Sequence, residues 1–168
     1  MFRVVLTPST PQQVELDDSA LGPTYNGTFA EVGSVGAQAP VQVTNEDSGS
    51  TLSWTGTAGA SVSVTFQGEL SLYMLITLKS GSAIAIYGVT GPSLGDFAVT
   101  IDGSLVATLS AKSDVEIHNT LLYFSTLLDP AVQHTFALQA LKSGAGSQTG
   151  LVVDRWVAWG DEGKTQFM

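Results

Sequence analysis

The sequence predicts an all-β fold, an antiparallel β-sandwich of the jelly-roll kind, from three observations. In Ser61–Gly68, valine and phenylalanine alternate with serine and threonine, a period of two that is typical of a strand with one buried face. Phe97–Ile101 repeats this alternation. Asp102-Gly103 follows directly and favours a tight hairpin, because both central residues of a type I′ turn need a positive φ.

Strand signals recur along the chain at short intervals with turn residues between them. The predicted strands are Phe2–Leu6, Gln13–Leu16, Thr51–Trp54, Ser61–Gln67, Ala83–Tyr87, Phe97–Ile101, Leu105–Leu109, Leu121–Phe124, Thr135–Leu141 and Leu151–Trp159. Gly22–Ser50 is rich in Gly, Pro, Ser, Asn and Thr, which predicts loops with short extended pieces. Many short strands favour a sandwich or jelly roll over βαβ units. No linker divides the chain, so residues 1–168 are expected to form one domain.

Composition excludes several classes of function. With 43% apolar and 12% charged residues among 168, the chain has enough apolar surface to fold. The net charge of −9, with six scattered Lys and Arg residues, argues against nucleic-acid binding. The absence of Cys excludes disulfides, thiolate zinc sites and cysteine nucleophiles. The short apolar start before Pro8 does not match a signal peptide, and no run approaches the roughly 20 apolar residues of a membrane span.

One motif would indicate a catalytic serine, but its sequence context does not support that interpretation. Gly91-Pro-Ser-Leu-Gly95 fits G-x-S-x-G, but a nucleophile elbow needs a helix after the serine, and a strand is predicted instead. Ser93 is therefore expected in a plain turn.

His118 and His134 are the only histidines and lie far apart in the sequence. His134 leads into a strand, which favours a loop-edge histidine hydrogen-bonded to backbone over a general base or metal ligand.

Carboxylates supply an alternative function. A polysaccharide hydrolase or lyase would use residues such as Asp17, Asp18 or Asp154, provided that two of them converge across a cleft. The same three residues also raise the idea of a calcium site. We favour a plainer role for Asp154, as acceptor of hydrogen bonds from a loop or partner of a nearby cation, because no Asp-x-Asp-x-Asp cluster is present. No metal and no cofactor are expected.

Aromatic residues carry the binding hypothesis. Carbohydrate binding by a β-sandwich relies on flat aromatic faces that stack on sugar rings, with polar groups that fix the orientation. The predicted contacts are Tyr25, Trp54, Tyr87 and Trp156, with Trp159 as a further candidate. Each of them is also compatible with a place in the core, since Trp and Tyr are usually mostly buried.

A family resemblance covers nearly the whole chain, from Val14 to Gly160. It is carried by Leu16-Asp-Asp-Ser, Tyr25-Asn-Gly, Trp54-Thr-Gly, Gly59–Gly68, Ile84-Ala-Ile-Tyr-Gly88, Thr100-Ile-Asp-Gly103, Leu121-Leu-Tyr-Phe-Ser125, Leu128, His134 and Leu151-Val-Val-Asp154. This order resembles the ectodomain of uncharacterised fungal, mostly basidiomycete, cell-surface proteins, which are similar to galactose-binding-like jelly rolls.

The resemblance implies a non-catalytic extracellular or cell-surface domain that binds a glycan or cell-wall polysaccharide. A purely structural ectodomain is a further alternative. The sequon Asn26-Gly-Thr28 gives weak additional support for secretion. The oligomeric state is left open.

One segment departs from the family pattern. Joining Phe66-Gln-Gly68 directly to Ser82–Gly88 restores the pattern Phe-x-Gly-x-x-Ile-x-x-Tyr-Gly, so Glu69–Gly81 looks inserted. Codons for Gly68-Glu69 can contain a GTGAG splice donor, and codons for Ser80-Gly81 can contain a CAG acceptor. We therefore expect Glu69–Gly81 to be a retained intron read in frame. The alternative is a genuine strand or short helix packed on the sandwich.

Deletion of Glu69–Gly81 is expected to raise the soluble yield and to preserve or raise the melting temperature. The physical reason is that Leu70–Leu78 is apolar, uncharged, prone to β-structure and free of Pro, which is the profile of an aggregating segment. Expression trials and thermal melts of the two chains measure this. A deletion that unfolds the domain, or a gene without splice signals at these codons, would make the segment part of the fold.

Overall fold

A computed structural model describes residues 12–17, 23–32, 39–68, 82–129, 132–142, 149–160 and 165–167. In these ranges the chain forms twelve strands and one 3₁₀ turn at Ser48–Ser50. The strands are β1 Gln12–Asp17, β2 Thr24–Asn26, β3 Ala30–Glu31, β4 Ser53–Thr55, β5 Ser61–Gly68, β6 Ser82–Thr90, β7 Asp96–Ile101, β8 Ser104–Ser110, β9 Ile117–Leu128, β10 Gln133–Ala140, β11 Leu151–Gly160 and β12 Thr165–Phe167.

The strands form two antiparallel sheets that face each other. The first sheet has the order β3-β4-β11-β6-β9, with β1 also paired to β11. The second sheet has the order β12-β5-β10-β7-β8, with β2 also paired to β5. From β5 to β11 the chain passes repeatedly from one sheet to the other, and only the hairpin of β7 and β8 keeps two successive strands in one sheet. This arrangement confirms the predicted antiparallel β-sandwich of jelly-roll type.

The core lies between the sheets and is built from the inward half of each alternating strand. Val62 and Val64 of β5 are buried while Ser61, Ser63 and Thr65 are only partly so, as the period of two predicts. The largest fully buried side chains are Trp156, Phe97, Phe136, Leu52, Ile84, Ile86, Leu94, Leu138 and Leu151. Each such side chain contributes roughly 1.5–3 kcal/mol on burial, so this layer supplies the main driving force for folding.

The predicted strands fall within or beside the observed ones, and the differences lie at the ends and in the shortest elements. β9 begins at Ile117 and ends at Leu128, well outside the predicted Leu121–Phe124. β2, β3 and β12 are only two or three residues long and were not predicted. A segment this short lacks enough alternation to be recognised. The predicted strand Phe2–Leu6 and the suspected insertion Glu69–Gly81 lie outside the described residues.

Gly88 marks a close approach between the strands of the first sheet. A Cβ atom at this position would lie 2.1 Å from the carbonyl oxygen of Val152 and 2.7 Å from the Leu122 side chain. The register of β6 shifts here against both of its neighbours. Only glycine fits between these strands, so Gly88 sets the spacing at the centre of the sheet.

The hairpin between β7 and β8 has the predicted turn. Asp102 has a φ of 51° and Gly103 a φ of 77°, both in the left-handed region that a type I′ turn requires. The Asp102 carboxylate accepts a hydrogen bond from the Thr135 backbone at 2.8 Å and lies 2.8 Å from His134 Nδ1. Burial alone would raise the pKa of Asp102, but these bonds lower it. The hairpin is thus fastened to the start of β10.

His134 has the structural role predicted for it. Its Nδ1 faces the Asp102 carboxylate, and its Nε2 lies 3.0 Å from the carbonyl oxygen of Asp129. The side chain therefore ties the β7–β8 turn to the chain that leads into β10. Both ring nitrogens are engaged in these contacts, which leaves the ring without a catalytic role in this arrangement.

β8 is the edge strand of the second sheet in the described part of the chain. Leu105 is 65% exposed, Val106 45% and Leu109 37%, and Ser104–Ser110 carries no charge. The register of β7 and β8 shifts between the partners of Val99 and Thr100, so Val106 is an extra residue in β8. The edge is therefore apolar but irregular.

Replacement of Gly103 by Val is expected to lower the stability by about 1–2 kcal/mol, because a β-branched residue resists a positive φ. An added Cβ would meet no atom within 4 Å, so backbone strain alone accounts for the loss. The melting temperature should fall by roughly 2–8 °C for a chain of this size. Gly103→Asn is the matched control, since Asn tolerates this conformation, and its loss should be smaller. Equal melting temperatures for Gly103→Val and the unchanged protein would contradict the type I′ assignment.

Candidate functional site

The outer face of the first sheet carries a continuous set of aromatic and polar side chains. Registers place Trp159 beside Ala83 and Phe124 beside Ala85, and Arg155 and Leu121 flank Tyr87 from the two sides of β6. Cross-strand partners in a sheet share one face. These residues therefore lie on the side of the sheet opposite the core. We call this surface the outer face; it comprises Ala83, Ala85, Tyr87, Leu121, Phe124, Arg155, Val157 and Trp159.

Phe124 and Trp159 form an aromatic pair on the outer face, in which Phe124 is exposed and Trp159 is half-buried. Their ring centroids lie 6.0 Å apart with an angle of 85° between the planes, an edge-to-face contact. Ala83 and Ala85 lie on β6 between the two aromatic strands, and their small side chains leave room for the rings to meet. Phe124 is 49% exposed, and Leu121 on the same strand is also 49% exposed. The outer face thus presents a ring and a neighbouring aliphatic side chain to solvent.

Arg155 lies at the edge of this aromatic surface and contacts four neighbouring side chains. Its guanidinium lies 4.3 Å from the centre of the Tyr87 ring, within the range of a cation–π contact. One terminal nitrogen donates to Asp154 Oδ2 at 2.6 Å, and the other donates to Asn119 Oδ1 at 2.6 Å. The Arg155 Nε lies 3.5 Å from the Glu15 carboxylate. Only 15% of the Arg155 side chain is exposed.

Asp154 is enclosed beneath Arg155. It occupies an irregularity of β11, where the register against β6 shifts between Val153 and Arg155. Its side chain has no exposed surface, and it accepts hydrogen bonds from the Ser48 backbone at 2.7 Å and from Arg155. Burial raises the pKa of Asp154, with a further contribution from the Asp47 carboxylate, while Ser48 and Arg155 act in the opposite direction. The favoured role for Asp154, as partner of a loop and a cation, is confirmed.

A second carboxylate, Asp47, is buried next to this pair and bound by His118. Asp47 accepts hydrogen bonds from the backbone and hydroxyl of Thr44 and lies 2.9 Å from His118 Nδ1. His118 Nε2 lies 2.9 Å from Glu116. Burial would lower the pKa of His118, but its hydrogen bonds to the two carboxylates outweigh that effect and raise the pKa above its ordinary value of 6.5.

The structure separates the four aromatic residues that the sequence predicted as contacts. Tyr87 lies on the outer face. Tyr25 and Trp54 are half-buried and pack against the core, and the Tyr25 hydroxyl donates to Ser53 Oγ at 3.1 Å. Trp156 has no exposed surface and lies within the core. The prediction that it contacts a sugar is therefore wrong. The alternation of β11 turns Trp156 inward and Trp159 outward, because residues three apart in a strand lie on opposite faces.

In the described part of the chain, the residues proposed for catalysis show no assembled site. Asp154 is enclosed and paired, so it does not reach a substrate. The backbone of Asp17 lies in β1, Asp18 lies outside the described residues, and Ser93 lies in the predicted turn closed by the Leu94 to Gly91 hydrogen bond. Among the residues that the structure describes, no group of His, Asp and Glu has the arrangement of a metal site. In that same part of the chain, no helix has the length and hydropathy to cross a membrane.

Sequence reasoning missed Phe124 and Arg155 of the outer face, and also Asn119, which binds Arg155. One signal was available. Tyr123 and Phe124 are adjacent in a strand, and adjacent side chains normally point to opposite faces, so one of the two had to face outward. Nothing in the sequence places Asn119 beside Arg155, because the contact depends on the pairing of β9 and β11 with β6 and on the positive φ of 50° at Asn119.

Solved structures with the same fold belong to proteins that act on or bind carbohydrates. A family 35 carbohydrate-binding module from an environmental isolate has a TM-score of 0.51 and 15% identity, over 91% of this chain and 96% of that one. The CBM36-1 domain of a multidomain xylanase from the hindgut metagenome of Trinervitermes trinervoides has a TM-score of 0.51 and 8% identity, over 90% and 99%. At these identities the likeness establishes a fold shared with such modules.

A family two carbohydrate esterase from Cellvibrio japonicus is similar over one part of its length. Its TM-score is 0.50 with 10% identity, over 95% of this chain and 36% of the esterase chain. The chain thus spans about a third of that enzyme. Neither a protein-family model nor a curated protein sequence matches the chain.

The contacts of His118 with two carboxylates predict that the protein is more stable at mildly acidic than at mildly alkaline pH. The raised pKa of His118 contributes stability that is complete below about pH 6.5 and is lost as the pH rises through the folded value. The melting temperature is therefore expected to be higher near pH 6 than near pH 8.

His118→Gln is the control for the histidine contribution. This variant should be less stable at pH 6 and should show a smaller difference in melting temperature between the two pH values. A reduction of the general repulsion at a net charge of −9 acts equally on both proteins. Identical pH profiles for the variant and the unchanged protein would contradict the role of His118.

Proposed function

We propose that this chain is a non-catalytic carbohydrate-binding domain and that the outer face of the first sheet contacts the glycan. The observation that carries the proposal is the Phe124–Trp159 pair, with Phe124 exposed and Trp159 half-buried, which lies on a sheet surface beside the Arg155 network. Sugar rings present apolar C–H faces that pack on aromatic rings and hydroxyl groups that need hydrogen-bond partners at the rim. Both kinds of group lie on this surface.

Polar groups flank the aromatic pair on one side. Glu15 is 45% exposed on its side chain, pairs across β1 and β11 with Val157, and therefore shares the outer face. Asn119 and Arg155 lie at the same edge and are already joined by a hydrogen bond, so their positions are fixed before a ligand arrives. Preorganised polar groups of this kind lower the entropic cost of binding.

Tyr87, one of the sugar contacts predicted from the sequence, belongs to this proposed surface because its ring packs against the Arg155 guanidinium. Tyr25 and Trp54 are retained as a second pair of proposed contacts because each is only half-buried. The structures similar to this one include carbohydrate-binding modules that match over almost their whole length, which supports the assignment. Fold alone does not fix function, so the aromatic pair with its exposed Phe124 ring is the stronger support.

An extracellular or cell-surface location completes the proposal. It is supported by the resemblance to fungal, mostly basidiomycete, cell-surface ectodomains. It is also consistent with the sequon, since Asn26 ends β2 and both Asn26 and Thr28 are exposed. A cell-wall polysaccharide is the corresponding ligand.

Replacement of Phe124 or Trp159 by Ala is expected to weaken glycan binding about tenfold or more, because each change removes an aromatic contact surface. Binding is measured by affinity electrophoresis on gels that contain neutral plant and fungal polysaccharides, and by calorimetry for the polymers that retard the protein. Phe124→Leu keeps the apolar volume without the flat ring and should also lose affinity while it remains folded. Tyr87, Trp54 and Tyr25 are tested as Ala variants in the same series.

Leu105→Ala is the matched control. Leu105 is a more exposed apolar residue than Phe124, but it lies on the edge strand of the second sheet, so its loss should leave binding unchanged. Unchanged binding of the Phe124 and Trp159 variants would remove the outer face as the contact. If the unchanged protein binds none of the polysaccharides, the result favours the structural ectodomain instead.

A further inference from the structure

Beyond the aromatic pair, the charge pattern of the outer face bears on the kind of glycan that fits. Arg155 is the only Lys or Arg in the described strands of the first sheet. The other described cations, Lys112 and Lys142, lie in the segments that follow β8 and β10 of the second sheet. As far as the described residues go, recognition of an acidic sugar at this surface would therefore depend on Arg155.

Each of the three guanidinium nitrogens of Arg155 already has a carboxylate or amide oxygen nearby. A uronic acid is normally held by two parallel N–H donors of a guanidinium. Here one terminal nitrogen donates to Asp154 and the other to Asn119, the Nε lies 3.5 Å from the Glu15 carboxylate, and the group lies over the Tyr87 ring, so an external carboxylate competes with partners already in place. Release of Asp154 would leave a fully enclosed carboxylate without its cation, which is strongly unfavourable.

The surroundings of Arg155 are acidic. Arg155 lies against the carboxylates of Glu15 and Asp154, and His118 lies against those of Asp47 and Glu116. Glu15 and Glu116 are partly exposed, at 45% and 38% of their side chains. The whole chain carries a net charge of −9, so the longer-range field also repels anions.

We infer that the outer face selects neutral glycans and rejects acidic ones. Hydroxyl groups of a neutral sugar donate to carboxylates such as that of Glu15, whereas a uronate would bring a second negative charge to the same edge. The inference rests on the proposed carbohydrate-binding function and adds the chemical class of the ligand. Repulsion here serves as the element of specificity.

The test compares acidic polysaccharides with the same polymers after reduction of their carboxyl groups, so that only the charge differs. Affinity electrophoresis is run with the unchanged protein at about 20 mM and about 500 mM salt, across which the Debye length falls severalfold. Neutral glycans, including at least one reduced polymer, should bind with less than about a twofold change between the two conditions. At low salt each acidic parent should bind at least tenfold more weakly than its reduced form, and the gap should narrow at high salt.

Glu15→Gln supplies the variant arm. It removes an exposed negative charge at the edge of the face while keeping the shape of the side chain, so it should raise binding of an acidic polymer relative to its reduced form. Leu105→Ala serves again as the distant control and should not change the ratio. Both ratios are taken on protein whose melting curve shows that it is folded.

The outcomes separate the two proposals. Equal or tighter binding of the acidic parents, with loss of that binding in Phe124→Ala, overturns the charge selection and leaves the carbohydrate-binding function standing. Absence of binding to every neutral glycan and every reduced polymer overturns both. A Glu15→Gln variant whose ratio does not change overturns the role of this carboxylate in the selection.

Discussion

The enclosure of the Asp154 carboxylate within β11 is the constraint on which the outer face of the first sheet depends. A charge without exposed surface needs partners, and the structure supplies the Ser48 backbone and the Arg155 guanidinium. That requirement brings the segment around the 3₁₀ turn against the sheet. It also holds the Arg155 guanidinium over the Tyr87 ring, so the position of the polar edge of the face follows from one buried group.

The irregularity of β11 at Asp154 links this constraint to the fold. One extra residue in β11 lies where its partner on one side changes from β4 to β1. After that residue, Trp156 and Ala158 face the core, and Arg155, Val157 and Trp159 face outward. Gly88 lies opposite on β6, where a side chain would collide with the Val152 carbonyl. The irregularity thus re-aims the second half of β11, which is a common use of bulges near functional sites.

Alternation and turn chemistry are local properties, and the sequence was informative wherever they decide the structure. Val62, Val64, Phe97 and Phe136 were recognisable as core, and Asp102-Gly103 as a type I′ turn, because a few neighbouring residues determine each of these features. The candidate site depended on more. Trp156 and Trp159 are chemically alike, and only the phase of β11 after Asp154 decides which of them faces solvent. The partners of Arg155 come from β1, β9 and β11, which no local pattern joins.

The low sequence identity to the similar structures is consistent with a fold that depends on local patterns and an outer face that depends on contacts between distant residues. A sandwich of this kind needs inward apolar residues and suitable turns, which many sequences supply, so 8–15% identity is enough to share the fold. The side chains on the outer face are free of that requirement. Differences between proteins of this fold are therefore expected to concentrate on such faces and on the loops.

The edge strand β8 has a consequence for the protein in solution. Its Leu105, Val106 and Leu109 side chains are exposed, and no charge guards the strand against pairing with another chain. The extra residue Val106 interrupts the even row of backbone donors and acceptors, so a flat second strand finds no continuous match along β8. A one-residue shortening of β8 at Val106 would straighten this edge and would offer a second strand a continuous row of backbone donors and acceptors.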